Sequence, residues 1–97
     1  MKIRVEESIF DKELGEVAEA LNLKLESILG TAEENFKALK ASTYLVTSDG
    51  FVRVRVPKKY NYLDKTALYN AAKSLLDIAL IGIEEDYGKF GIVLEVQ

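Results

Sequence analysis

The sequence predicts an α+β domain in which helices cover one face of a four-stranded antiparallel sheet. Three observations predict it. Short segments of alternating apolar and polar residues, typical of strands, occur near both ends and in the middle of the chain. An Asp-Gly turn signal separates the two central segments. Two long stretches carry apolar residues every three or four positions, as amphipathic helices do. With 97 residues, we expect one domain spanning 1–97.

The chain begins with a predicted strand followed by a long helix. Ile3 and Val5 alternate with charged residues, which indicates a short half-buried strand. Ser8 can cap a helix, and apolar residues then recur at helical spacing, so a helix is predicted over 9–29. Gly30 follows this segment, at the position where a glycine commonly ends a helix.

A second, shorter helix is predicted directly after this glycine. Thr31 followed three residues later by Glu34 forms a capping box, in which each side chain satisfies a backbone N–H of the first turn. We therefore divide this region into helices 9–29 and 32–41. A single bent helix over 8–41 remains the alternative.

The centre of the chain predicts a β-hairpin. "STYLVTS" and "FVRVRV" flank Asp49-Gly50, and a two-residue type I′ turn at this dipeptide would pair Leu45 with Val54. Pro57 ends the second strand. In this register the core face carries Thr43, Leu45, Thr47, Val52, Val54 and Val56, and the outer face carries Tyr44, Val46, Ser48, Phe51, Arg53 and Arg55.

The last third of the chain predicts a helix and a final strand. Asp64 caps a helix that we expect to run to about Asp86, with Gly88 as its stop. Residues 75–83 are apolar almost all round, and we expect such a segment to be buried on every side. "FGIVLEV" then alternates as a strand, with Ile92, Leu94 and Val96 on one side.

The order β-α-(α)-β-β-α-β is compatible with a ferredoxin-like arrangement, in which the helices lie on one face of an antiparallel sheet. A second interpretation omits the first strand. The remaining α-β-β-α-β order resembles the start of roadblock or longin-type sandwiches, with "LVTSDGFV" as the first hairpin. This chain lacks the later strands and the final helix of those folds.

Composition disfavours several classes of function. The chain has no histidine and no cysteine, so the commonest catalytic bases, nucleophiles and soft metal ligands are missing. No glycine-rich phosphate loop or catalytic motif is present, and we expect no cofactor. The first residues do not form a signal peptide, and the longest apolar run is too short to span a membrane. We therefore expect a cytoplasmic protein. The abundance of Glu, Lys and Ile is typical of thermophile proteins.

The hairpin and the loop after it supply the candidate binding face. Aromatic and basic side chains are concentrated between positions 44 and 62 in a chain whose net charge is −3. An open sheet face with rings and arginines resembles the way RNA-recognition modules bind single strands, although the aromatic run of those modules is absent here. The simplest interpretation is a solvated outer face. The candidate residues are Tyr44, Phe51, Arg53, Arg55, Lys58, Lys59, Tyr60 and Tyr62.

Taken together, these patterns predict a small binding protein rather than an enzyme. Aromatic residues and arginine are enriched at protein interfaces. The apolar segment 75–83 also has more apolar surface than packing against one sheet can bury. The expected partner is a second copy of the chain or another protein. One alternative is a single-stranded RNA or DNA binder that uses the 44–62 face. Another is a ligand-binding or enzymatic homodimer with a cleft between its subunits.

Overall fold

The computed structural model describes residues 3–5, 11–30 and 33–97, and it shows an α+β fold built on a four-stranded sheet. The expectations that rested on Ser8 and Thr31 lie outside the described residues. A 3-10 turn follows the third strand. The elements in chain order are β1 (Ile3–Val5), α1 (Asp11–Ile28), α2 (Glu34–Ala41), β2 (Thr43–Val46), β3 (Phe51–Val56), the 3-10 turn (Lys58–Tyr60), α3 (Lys65–Ala79), α4 (Ile83–Tyr87) and β4 (Gly91–Val96).

The sheet is mixed, so the expected antiparallel ferredoxin-like sheet is wrong. The strands lie in the order β1-β2-β3-β4. β1 runs parallel to β2 and β3 runs parallel to β4, while only the central β2–β3 pair is antiparallel. The physical reason is that each helical segment connects two strands that are direct neighbours, and such a connection returns the chain in the same direction. The interpretation that omitted β1 is also wrong, because Ile3–Val5 pairs with β2.

The two helical connections have opposite hands. α1 contacts α3 and α4, and α2 contacts α3, so both connections lie on the same face of the sheet. Both also move in the same direction across the sheet, from β1 to β2 and from β3 to β4, although these two strand pairs run in opposite directions. One connection is therefore left-handed, against the strong preference for right-handed crossovers.

The central hairpin is shifted by one residue from the predicted register. Val46 pairs with Val52, and the N–H of Thr47 donates to the carbonyl oxygen of Phe51 at 2.9 Å. The N–H of Gly50 donates to Thr47 O at 3.2 Å, and Gly50 has φ of +85°. This is a three-residue loop in which a tight turn is followed by a left-handed glycine. A type I′ turn would need positive φ at Asp49, and no described non-glycine residue has it.

The shifted register changes which residues of β2 enter the core. Because successive side chains of a strand point to opposite faces, a slip of one residue exchanges the two faces. Tyr44 and Val46, expected outside, are fully buried. Leu45, expected in the core, lies on the other face, although it is itself buried. The core face of β3 is as predicted, with Val52, Val54 and Val56 fully buried.

The long first helix is amphipathic as predicted, and its buried stripe covers the sheet. Its buried residues recur at steps of three and four, so one face of α1 packs on the core. The helix contacts β1 and β2, whereas α2 contacts β3 and α3 contacts β4. The residues of this stripe in the core are Leu14, Val17, Ala18, Leu21 and Leu25.

The second long helix is interrupted, in contrast to the predicted continuous helix to Asp86. α3 ends at Ala79, and α4 begins at Ile83 after a turn in which Gly82 has φ of +85°. The Nζ of Lys24 donates to the carbonyl oxygen of Ile81 and links this turn to α1. The break leaves Ile78 and Ile81 exposed by 55% and 64%, so segment 75–83 is not buried on every side.

Candidate functional site

The predicted 44–62 face is divided between three parts of the molecule. Tyr44 lies in the core beneath the helices, where its hydroxyl donates to the carbonyl oxygen of Leu39 at 2.9 Å. Burial raises the pKa of the Tyr44 hydroxyl above its usual value of 10.0. This tyrosine is a structural link between β2 and α2, and it is not available to a partner.

The loop after β3 forms a second part, which faces α2. The Tyr62 hydroxyl donates to Glu34 Oε2 at 2.6 Å, and this hydrogen bond raises the pKa of Tyr62. Tyr60 packs against the core, and the Lys59 ammonium lies 5.3 Å from the centre of its ring. Tyr62 therefore links this loop to α2, and Lys58 and Lys59 lie in the 3-10 turn beside Tyr60.

The third part, which we call the open face, is the side of the sheet that no described helix covers. Arg53 and Arg55 lie there as predicted, beside Glu95 of β4. Arg53 Nη1 is 3.7 Å from Glu95 Oε1, and Arg55 Nε is 3.3 Å from Glu95 Oε2. One carboxylate thus serves two guanidinium groups. The Nε of Arg53 is buried and has no hydrogen-bond partner.

A row of side chains crosses the open face from one edge of the sheet to the other. Arg4 pairs with Leu45, Leu45 with Arg53, and Arg53 with Val93. Leu45 is only 5% exposed, although it lies on the open face. Arginine stems lie readily along apolar surface, and the two flanking arginines account for this burial. The described charged residues of the open face, Arg4, Arg53, Arg55 and Glu95, give it a net charge of +2 in a chain of net charge −3.

Phe51 closes one end of the open face. Its ring lies over Gly91 so closely that a Cβ on Gly91 would come within 2.5 Å of the ring. A side chain at position 91 would therefore displace the ring. The missing side chain at Gly91 leaves room for the Phe51 ring to lie against β4, and 39% of Phe51 remains exposed.

The β4 edge is a second candidate surface, which sequence reasoning did not single out. All six residues of β4 are only partly exposed, including Val93 and Glu95 on the open face. In the described residues, β4 pairs with β3 alone. The N–H of Gly91 donates to the carbonyl oxygen of Gly50, next to β3, and the N–H of Gln97 donates to that of Val56 in β3. Because alternate residues of a strand point their N–H groups to opposite edges, those of Ile92, Leu94 and Val96 face outward.

A groove lies beside this edge, between β4 and the first turns of α3. Its volume is about 430 Å³, and its floor is made by Leu94 and Val96. Tyr69 forms an apolar wall. The sequence feature that could have predicted this groove is the apolar run "GIVLEV". It contains more apolar residues than is usual for a strand with one solvent-exposed face and one solvent-exposed edge. The polar rim comes from Lys65, Thr66 and Asn70.

A second cavity, of about 540 Å³, lies at the turn between α3 and α4. Leu80 and Ile81 line its apolar part, and Asp77, Glu84 and Glu85 supply carboxylates. The residues that the structure describes include no cluster of three or more acidic, histidine or cysteine side chains suited to a metal ion. Among the same residues, no helix is long and apolar enough to cross a membrane.

The described residues thus form three surface features: the open face, the β4 edge with its groove, and the cavity at the turn between α3 and α4. Tyr44, whose pKa is raised by burial, is sealed in the core and belongs to none of these surfaces. Comparison with protein-family models, with curated proteins and with solved structures found no match to this chain. The function of this chain is therefore inferred from its own surfaces.

Proposed function

We propose that this chain is a small non-catalytic binding protein that acts as a homodimer, formed when the β4 edges of two copies pair. The observation that carries the proposal is the β4 edge itself. A six-residue strand with outward N–H and C=O groups and half-exposed apolar side chains is a template for another strand. Natural monomers usually protect such an edge with proline, lysine or a bulge. Residues 91–96 contain none of these residues, and β4 pairs with β3 without a break.

The groove supports the same surface. Leu94 and Val96 form the groove floor and also belong to the β4 edge. A second strand laid along β4 would extend the sheet, and the helices that come with it would cover these half-exposed side chains. Burial of apolar area and completion of the hydrogen-bond ladder would then favour the same arrangement.

The β4 sequence is compatible with pairing to its own copy. In an antiparallel pair centred on Leu94, Ile92 lies opposite Val96 of the second copy. The outward N–H and C=O groups of these residues then meet in hydrogen-bonded pairs. Val93 lies opposite the second copy's Glu95, so the two glutamates do not face each other. A two-fold interface of this kind is the commonest form of self-association.

The register gives a test that distinguishes two substitutions at one position. Val93→Glu would put two carboxylates opposite each other twice per dimer, and Val93→Lys would create two opposite-charge pairs. At about 0.2–1 kcal/mol per cross-strand pair, dimer affinity should fall roughly 2–30-fold for the glutamate and rise for the lysine. Sedimentation equilibrium on both variants measures this difference, with thermal melting to confirm that each is folded.

A matched control is available at Leu23, an exposed apolar residue of α1 outside the interface. Leu23→Glu and Leu23→Lys should leave the dimer constant within about twofold, because surface changes away from the contact have small effects. A wild-type protein that stays monomeric at about 100 μM, where even weak specific dimers form, would contradict the proposal. Equal effects of the two Val93 substitutions would contradict the register.

The proposal places this dimer in the cytoplasm. The sequence contains no cysteine, so it carries no sign of the disulfides that stabilise small proteins of oxidising compartments.

A further inference from the structure

The open face carries a positive charge that the rest of the molecule does not share. Arg4, Arg53 and Arg55 face Glu95 alone among the described charged residues of this surface. The described residues of this face therefore carry a net charge of +2, whereas the whole chain is at −3. Such segregation is complementary to an anionic partner.

We propose that the open face binds the sugar-phosphate backbone of a single-stranded nucleic acid. Guanidinium groups match phosphate oxygens with paired N–H donors, and three of them lie on this face. Arg53 and Arg55 are two residues apart on β3, which separates their Cα atoms by about 6.6 Å. Arg4 lies two strands from Arg53, at about 9.6 Å between Cα atoms. The three side chains can therefore hold different phosphates of one strand.

The ring of Phe51 favours a nucleic acid over an acidic peptide. It lies at one end of the arginine surface, on top of Gly91, with part of its area open to solvent. Val93 continues the apolar surface beside Arg53. Bases stack on exposed rings without strong sequence preference, and one ring per chain gives a weak, sequence-tolerant contact. An acidic peptide would use the arginines and leave the ring without a role.

Glu95 acts as an internal competitor of the phosphate. It lies 3.3 Å from Arg55 and 3.7 Å from Arg53, so a phosphate must displace or share these contacts. Replacing the carboxylate by an amide would remove both of these ion contacts and the repulsion between Glu95 and a phosphate. The substitution Glu95→Gln should therefore tighten binding, an effect that a solvated face without a ligand would not show.

This inference does not rest on the proposed dimer. Pairing of β4 edges uses the edge and leaves the open face uncovered, and in the dimer the two open faces lie on the same side of one continuous sheet. Loss of the dimer would halve the length of the surface without removing it. Binding and self-association can therefore fail separately.

The test measures the fluorescence anisotropy of a short fluorescein-labelled oligothymidylate titrated with the intact protein between about 50 and 200 mM salt. Arg53→Gln with Arg55→Gln should weaken binding at least about tenfold and reduce the salt slope by roughly 1.4, the value for two lost phosphate contacts. Glu95→Gln should tighten binding about threefold or more, an amount within the range of one typical hydrogen bond. Phe51→Leu should weaken it by about fivefold or more.

The matched control is Lys37→Gln with Lys40→Gln, which makes the same change in net charge on α2, behind the sheet. It should change affinity by no more than about twofold. Three results would overturn the inference. These are no binding of wild type at the lowest salt, an equal loss in the α2 control, and no gain from Glu95→Gln. Equal competition by polyglutamate, with no effect of Phe51→Leu, would also overturn it in favour of an acidic peptide. Melting curves of each variant exclude unfolding as the cause.

Discussion

The centre and the edge of the sheet carry similar apolar patterns and end up in different environments. On the central strands the core-face residues, from Tyr44 to Val56, have no exposed area. On β4 the corresponding residues Ile92, Leu94 and Val96 are only half-buried. The central strands have a neighbour on both sides and helices above, whereas β4 has one neighbour and little more than α3. Alternation thus predicts the face of a strand, and position in the sheet decides how deeply that face is buried.

The largest effect is expected when the same charge is placed at the centre and at the edge of the sheet, which tests whether the two differ in burial. Val54→Asp would bury a carboxylate with no partner, and we expect a loss above about 4 kcal/mol that leaves the protein unfolded. Leu94→Asp would keep its carboxylate near water in the monomer, so the fold should survive while the dimer is lost. Circular dichroism with urea titration compares the two, and unfolding by both would show that the edge is as closed as the centre.

A smaller effect comes from the buried hydroxyl at the centre. Tyr44→Phe should cost about 1–2 kcal/mol, because Leu39 O would lose its hydrogen-bond donor in the core. Burial raises the pKa of Tyr44, so above its usual value of 10.0 the unfolded chain releases this proton and the folded chain keeps it. The Tyr44 contribution is therefore fully present below pH 10 and is lost as the pH rises further.

Urea titrations of wild type and Tyr44→Phe between pH 8 and 11 measure this pH effect. The stability difference between the two proteins should shrink by about 1.4 kcal/mol per pH unit above 10. The variant supplies its own control, because the other tyrosines titrate in both proteins. A constant difference over this range would mean that the hydroxyl is open to solvent.

The smallest expected change in stability is at the pair of ion contacts on the open face. Glu95→Gln removes both contacts to Arg53 and Arg55, whose side chains are more than a third exposed. Surface pairs of this kind contribute about 0–1 kcal/mol, and salt screens them. The free energy of unfolding should therefore change by no more than about 1 kcal/mol. A larger loss of stability would show that Glu95 is a structural residue and that its contacts with Arg53 and Arg55 stabilise the fold.

The sequence was sufficient to predict the four strands and the first helix, and insufficient to predict how the strands are arranged. Alternation and helical spacing predicted the four strands, and the buried stripe of α1 followed from Leu14, Val17 and Leu21. The neighbours of β1 and β4 could not be predicted, because apolar alternation does not say which strand lies beside which. The general preference for right-handed connections also favours other strand orders than the one observed.

Two errors in the candidate site came from local chemistry that has more than one solution. Asp49-Gly50 suits a two-residue turn, but the same glycine also suits the third position of a three-residue loop. That ambiguity moved Tyr44 from the core to the predicted outer face. The apolar run before Gly82 suggested one long helix, and the left-handed glycine ends it early. The positions of Arg53, Arg55 and Phe51 were predicted correctly, because both registers leave β3 with the same faces.

The three-residue loop of the hairpin also indicates where this protein can change length over evolution. Deleting Ser48 would leave Asp49-Gly50 as a two-residue connection, with Thr47 still opposite Phe51. Residues opposite each other on paired strands point to the same face, so Arg53 and Arg55 would stay on the open face and Tyr44 in the core. An insertion or deletion of one residue inside β2 or β3 would instead exchange the two faces over part of that strand. Natural relatives of this chain should therefore vary in length at the loop and not within these two strands, which a survey of homologous sequences can check.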